Sequence, residues 1–283
     1  MCDTCGCNIT HGNKHLVAPG GKFSKVENGN TAIDVLQNLL SENDHQAAHN
    51  RDHFDRHGVL AVNLMSSPGT GKTSLLEHTI EQLSDRYRIA VIEGDLETEN
   101  DAQRIREKGV PAIQITTGNA CHLDAHMVHD ALHQLNLDDI DIVFIENVGN
   151  LVCPASFDLG QHRNITLLSV TEGDDKPAKY PVMFRAADLV LLTKVDLLQV
   201  LGDFSPSKAA RHVRDLASDA PVLHVTTRVK GQLDDWCSWL EDEVLNHRER
   251  LAQGQTLRPA IQPEGAQLHQ HDHHSHQHIH VAK

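Results

Sequence analysis

The chain has no apolar run approaching the roughly 20 residues that a bilayer-spanning helix requires. It also has no basic start leading into an apolar core of the kind that marks an export signal. A cytoplasmic protein without a membrane partner is therefore expected. Positive charge is scarce too: 25 Lys and Arg stand against 39 Asp and Glu, a formal net charge of −14. That balance repels a polyanion and provides no basic footprint, which excludes nucleic acid as an expected partner. Without an export signal, the six cysteines are expected to stay reduced and to serve as candidate metal ligands rather than disulfides. The 22 histidines strengthen that expectation, and 39% hydrophobic residues in 283 suffice for one core domain with appendages.

The stretch 59–73, VLAVNLMSSPGTGKT, is a hydrophobic run that breaks into a Gly-rich loop and then into a helical pattern. It reads as strand, phosphate loop and helix. From Ser66 the spelling is SSPGTGKT, a Walker A loop with Ser in place of the usual first Gly. In such a loop the backbone N–H groups of Ser67, Pro68, Gly69, Thr70, Gly71, Lys72, Thr73 and Ser74, Pro68 excepted, surround a phosphate-sized concavity. Lys72 reaches the β/γ-phosphates and the Thr73 hydroxyl ligates Mg²⁺. Downstream, a strand over 88–92 ends at Glu93-Gly94-Asp95, and another over 140–145 ends at Glu146-Asn147-Val148-Gly149. Acidic groups at the carboxyl ends of parallel strands face the ligand crevice. Glu93 or Asp95 can hold Mg²⁺ or orient the attacking water, with Asp95 the choice for water and, beside Lys72, the catalytic role. Glu146 and Gly149 occupy the place of the DxxG of nucleotide switches, an acidic group near Mg²⁺ and a glycine N–H that senses the γ-phosphate. After a strand over 189–192 comes Thr193-Lys194-Val195-Asp196, the pattern [NT]KxD. There the Asp196 carboxylate accepts from guanine N1–H and N2–H₂ while the Lys194 stem lies over the base; adenine offers no such donors. The loop 226–230 is placed to cover the base.

Two groups of soft ligands accompany this machinery. Cys2, Cys5 and Cys7 in MCDTCGC can deliver three thiolates to one ion. A planar S₃N set including a terminal amine would suit Ni(II), and a tetrahedral sulfur-rich one Zn(II). Cys121, His122 and Cys153 follow strands whose carboxyl ends share the nucleotide's rim, a geometry that permits a Cys₂His site for nickel or zinc. A third, weaker set is His269, His271, His273, His274, His276, His278 and His280, seven imidazoles in twelve residues that bind divalent metals collectively unless they are a purification tag. Helices are expected from Thr31 toward Phe54, with Thr31 as cap, and over 74–83, 101–108, from 121–122 to 135, 207–217 and 231–245, the last carrying Trp236 and Trp239 against the sheet. Further strands are expected over 110–115, 165–170 and 222–225. The organisation read from this is residues 1–30 as metal motif and flexible linker, 31–250 as a nucleotide domain of α/β class with a mostly parallel, helix-flanked sheet, and 251–283 as a disordered His-rich tail.

These pieces together resemble the hydrogenase nickel-incorporation GTPase family, HypB. The resemblance is carried by CxxCGC at Cys2, Cys5 and Cys7, SSPGTGKT, Cys121-His122 with Cys153, TEGDDKP from Thr171 to Pro177, and TKVD from Thr193 to Asp196. It implies a SIMIBI-type P-loop G domain, slow Mg-dependent GTP hydrolysis, dimerisation on nucleotide, and nickel transfer with a HypA-type metallochaperone into the hydrogenase large-subunit precursor. In that family histidine-rich segments lie near the N-terminus, so the C-terminal tail is a departure. The alternatives are the nickel GTPase of urease maturation, which the triple-cysteine terminus disfavours, an ATP-dependent enzyme of the same fold, which TKVD disfavours, and a nickel reservoir with a vestigial loop.

Overall fold

The computed structural model describes residues 30–95, 99–118, 120–216 and 218–259, with side chains from Leu40 onward. The thiols Cys2, Cys5 and Cys7, the linker and the histidines from His269 to His280 lie outside the described residues.

Strand β1 (Leu60–Met65) is buried at every position, as an apolar run covered on both faces must be. It is the centre of a seven-stranded, wholly parallel sheet of order β3-β2-β4-β1-β5-β6-β7. The other strands are β2 (Ile89–Asp95), β3 (Ala112–Thr116), β4 (Ile142–Glu146), β5 (Arg163–Ser169), β6 (Leu189–Thr193) and β7 (Val222–His224). Helices α1 (Asn30–Arg56), α2 (Lys72–Leu83), α3 (Asn100–Arg106), α4 (Ala125–Leu132), α5 (Lys176–Lys179), α6 (Pro181–Arg185), α7 (Pro206–Asp215) and α8 (Asp234–Ala252) connect and flank them.

The period of two along β1 divides the core. Leu60, Val62 and Leu64 pack with Leu75 and Leu76 of α2 and Trp236 and Leu240 of α8. Ala61 faces the other way, with Phe54 of α1, Val128 and Leu132 of α4, and Ile92 and Ile145. Near the β6 edge Met183, Phe184 and Val213 close a third cluster. Trp236 is fully buried, its Nε1–H donating to Thr79 Oγ1 at 2.9 Å, and Trp239 stacks on it.

A seam of buried amides interrupts this apolar interior. Asn147 Nδ2 donates to Asn63 Oδ1 at 3.3 Å, Asn63 Nδ2 donates to Asn164 Oδ1 at 3.1 Å, and Gln161 Nε2 donates to the same oxygen at 2.9 Å. The seam runs from the end of β4 through β1 to β5. Helix α1 is tied down by a buried ion pair, Arg51 with Asp158 at 2.7 Å.

Several boundaries differ from the sequence reading for local reasons. α1 begins at Asn30, so Thr31 lies within it. α2 begins at Lys72 because Gly71, at φ 107°, already ends the loop in a left-handed turn. α4 does not include Cys121 and His122: Asp124 caps it, accepting from the Met127 N–H at 2.9 Å, and the Cys-His pair is left in an irregular bend. At the far end α8 runs to Ala252, Leu257 is buried in the core, and the Arg258 carbonyl accepts from Arg163. Leu257 and the Arg258 carbonyl thus tie the chain just after α8 to the domain, within the first residues of the span read as tail.

Candidate functional site: a phosphate loop beside a thiol–imidazole cluster

The loop between β1 and α2 places its glycines where the chain requires left-handed backbone, Gly69 at φ 74° and Gly71 at φ 107°. The α2 N-terminus opens onto the cleft they form, so unpaired N–H groups and the helix dipole favour an anion there. Lys72 is buried, its Nζ donating to Ser66 Oγ at 3.2 Å. Thr73 Oγ1 donates to Glu146 Oε1 at 2.9 Å. The same cleft is lined by Ser74, Pro68, Glu93, Asp95, Asn147 and Gly149.

Glu93 and Glu146 stand opposite each other on adjacent strands. Both are buried, and one oxygen of each, Oε2, lacks a hydrogen-bond partner. Burial pushes the Glu93 carboxyl up to about 8, with the charges of Glu146 and Asp95 adding to it. Burial likewise raises Glu146 to about 7, against the opposing pull of Lys72 and of the Thr73 hydrogen bond. Two orphaned carboxylate oxygens beside a threonine hydroxyl at the mouth of a phosphate loop form a donor set that fits a hard divalent cation such as Mg²⁺. Asp95 lies at the end of β2, half-buried on the same rim.

A second cleft opens on the β6 side of the phosphate loop. Lys194 is the only non-glycine described residue with positive φ, 59°, and its Nζ donates to the Gly69 carbonyl at 2.7 Å. Thr193 Oγ1 donates to the Thr70 carbonyl at 2.8 Å, binding β6 to the phosphate loop. Asp196 Oδ1 accepts from Thr226 Oγ1 at 2.5 Å. Lys194, Asp196, Thr226, Thr227 and Arg228 line a cavity of about 260 Å³ that opens beside Thr70 and Gly71.

Sequence reasoning noted TEGDDKP only as a likeness and missed the work of Glu172. Its two oxygens accept from Ser67 Oγ and Thr70 Oγ1, each at 2.6 Å. It thereby braces the phosphate loop from behind. An acidic residue just beyond the neighbouring strand β5 was the available signal.

Cys121, His122 and Cys153 come together. Their ligand atoms lie within 4.8 Å of one another, with the two sulfurs 3.0 Å apart and free of a disulfide. His122 is fully buried and stacks on Phe157 at 4.0 Å between ring centroids. Burial lowers its pKa to about 4, so the ring is neutral and keeps a lone pair for coordination. Two half-exposed thiols and a neutral imidazole fit a borderline or soft divalent ion.

The cluster is joined to the phosphate cleft through one residue. Leu123, next to His122, donates its N–H to Asn147 Oδ1 at 3.2 Å, and a Cβ on Gly94 would stand 2.7 Å from the Leu123 side chain. Gly94 lies between Glu93 and Asp95; Asn147 follows Glu146. Gly149 in turn has room for no side chain, since a Cβ there would meet the Pro68 backbone at 2.8 Å. A second gathering, Asp55, His162 and His247, is of another kind. The Ala61 N–H donates to His162 Nδ1 at 2.9 Å, so Nε2 carries the proton and donates to Asp55 Oδ1 at 3.0 Å, leaving no lone pair on that ring for a metal.

A wholly parallel sheet with a phosphate loop after its central strand defines a P-loop nucleotide hydrolase. Residues 60–224 match the family model described as CobW/HypB/UreG, nucleotide-binding domain. The chain is 53% identical over 226 residues to the hydrogenase maturation factor HypB of Azotobacter vinelandii, covering 79% of this chain and 72% of that one. Against HypB of Escherichia coli K12 the identity is 47% over 233 residues, covering 82% and 78%. Among solved structures, HypB from Helicobacter pylori in complex with nickel superimposes with a TM-score of 0.70 at 42% identity, covering 72% of this chain and 96% of that one. The chain belongs to the CobW/HypB/UreG family, among its HypB hydrogenase maturation factors. No helix among the described residues is long and apolar enough to cross a membrane.

Proposed function

We propose that this protein is a cytoplasmic, GTP-hydrolysing nickel metallochaperone that delivers its ion during [NiFe]-hydrogenase maturation. The observation that carries the reading is the Leu123 to Asn147 hydrogen bond of 3.2 Å, which joins the cysteine–histidine cluster to the strand end carrying Glu146. A nickel complex of a 42% identical relative supports the choice of metal.

GTP lies with its phosphates on the N–H groups from Gly69 to Ser74 and its base in the pocket of Lys194 and Asp196. Asp196 accepts from guanine N1–H and N2–H₂, and adenine would leave that carboxylate unmatched. Lys72 exchanges its Ser66 contact for the γ-phosphate and neutralises charge as the bond to the leaving oxygen lengthens. Asp95 orients the attacking water in line with that bond. Thr73, with Glu146 and Glu93, would hold Mg²⁺, which would supply further charge neutralisation on the phosphates. Gly149, seated on Pro68, senses the γ-phosphate through its N–H and transmits the difference between tri- and diphosphate to Asn147, hence to Leu123 and His122.

Nickel is the cargo in this scheme, held by Cys121, His122 and Cys153, with Zn(II) as competitor for the same donors. Cys2, Cys5 and Cys7 act as the loading site, and the histidines from His269 to His280 as a weak reserve. Homodimer closure on nucleotide, a HypA-type metallochaperone and the hydrogenase large-subunit precursor complete the cycle.

The test is nickel titration of the full chain in nucleotide-free, GDP and GTP-analogue forms. The expected result is a nickel affinity at the Cys121 cluster that differs between forms by about 5- to 150-fold, with the reciprocal change in nucleotide affinity. Identical affinities in all three forms would sink the coupling.

A further inference from the structure

A third collection of imidazoles lies on the outer surface, away from both centres described above. Helix α1 carries His49 and His53, with His57 just past its end at the same interval of four, and His129 and His133 repeat that spacing at the end of α4, so each set rises along one helix face. The two faces meet. His49 sits edge-on to His129 with ring centroids 5.1 Å apart, His129 to His133 at 4.5 Å and His53 to His57 at 5.2 Å. His49 and His133 are exposed and His129 is half-buried, so an ion has access from solvent.

The proton positions follow from one buried amide. Asn50 Nδ2 donates to the Ala125 carbonyl at 2.7 Å and the Leu159 carbonyl at 3.1 Å. With its protons engaged there, Asn50 presents Oδ1 as acceptor, 3.1 Å from His129 Nδ1. Nδ1 is therefore the protonated nitrogen and Nε2 keeps its lone pair. That lone pair is 3.1 Å from His133 Nε2. Two nitrogens each about 2.0–2.1 Å from one ion, at angles between square and tetrahedral, stand about 2.9–3.4 Å apart. A buried side chain that fixes the ligand's tautomer from behind is what a metal-binding histidine needs. Burial and the neighbouring imidazoles His133 and His49 also hold the pKa of His129 below its ordinary value, so the ring is neutral near pH 7.

We propose that His129 and His133 form a two-imidazole surface site, open to water for the remaining positions, for a divalent transition ion of the nickel, zinc or copper type. Imidazole nitrogen is a suitable ligand for each of these metals. An ion held there sits at the end of α4, with Asn50 of α1 holding the His129 ring behind it. The site does not rest on the nucleotide-coupled reading above.

The experiment is equilibrium dialysis of the full chain against Ni(II), comparing the parent with His129→Gln/His133→Gln, with the near-ultraviolet thiolate-to-nickel band recorded alongside. The substitution is expected to remove about one bound equivalent per chain while leaving the thiolate band intact. It is also expected to abolish the part of the nickel-induced rise in melting temperature that persists when His276 and His278 are replaced by Gln. His133→Ala alone, at an exposed position that the fold tolerates, should weaken the same equivalent about tenfold or more. Unchanged stoichiometry and affinity in both variants would overturn the site. So would a loss of nickel that takes the thiolate band with it, since the ion would then belong to the cysteines.

Discussion

Single side chains carry the division of labour between nucleotide and metal. Lys72 is buried beside the cleft and touches none of the cysteine cluster. Lys72→Ala is expected to reduce single-turnover GTP hydrolysis by about 100- to 1000-fold, while nickel binding to the nucleotide-free protein, read from the thiolate band, stays at the parent level. Asp196 tests base recognition. In the proposed binding mode Asp196→Asn replaces the acceptor for guanine N1–H and N2–H₂ with an amide that can instead donate to the 2-oxo group of xanthine. GTP affinity should fall by about 100-fold or more, and xanthosine triphosphate should gain, as measured by competition against a fluorescent nucleotide. If ATP gains instead, the pocket assignment is wrong.

At the scale of elements, the strand, loop and helix around Gly69 were legible because the spacing of backbone conformations is written directly in glycine positions. The parallel sheet was legible from uninterrupted apolar strands, and the rim placement of Cys121, His122 and Cys153 followed from it. What stayed hidden was whatever depends on partners distant in sequence. Glu172 reaches Thr70 across 102 positions, and nothing in its own surroundings announces that reach. The start of α4 was misjudged because Asp124 competes for the helix terminus through its side chain, a contest that hydrophobic period does not register. The histidines of α1 were overlooked for another reason, since their spacing is visible but the facing pair on α4 is not. Gly94 joins elements that sequence keeps apart, β2 and the bend holding His122. Gly94→Ala drives a methyl group into Leu123 and should cost about 1–3 kcal/mol of stability. It should also shrink the nucleotide dependence of nickel affinity while leaving GTP binding within a few-fold of the parent, checked by the titration already described.

The whole molecule registers acid through its buried histidines. His247 and His162 lie in the interior with ring centroids 4.2 Å apart. Burial, with the neighbouring His162, lowers His247 to about 3, and burial also lowers His162. In the unfolded chain both titrate near 6.5. Between that value and the lower folded one only the unfolded state takes up the proton, so their contribution to stability is complete above pH 6.5 and is lost progressively as pH falls below it. Urea midpoints should therefore decline from pH 7.5 to pH 5, and His247→Leu should flatten that decline. The amide seam through β4, β1 and β5 also governs how the chain arrives at this architecture. Parallel strands meet only after long excursions of the backbone, and runs of Val, Ile and Leu pack almost as well when displaced by two positions. Asn63, Asn147 and Asn164 do not share that tolerance, because a slipped strand strands their donors in the interior at about 1–3 kcal/mol each. The seam therefore acts as a proofreader of assembly, letting the sheet consolidate in one threading and rejecting near misses before the surface chemistry is built upon them.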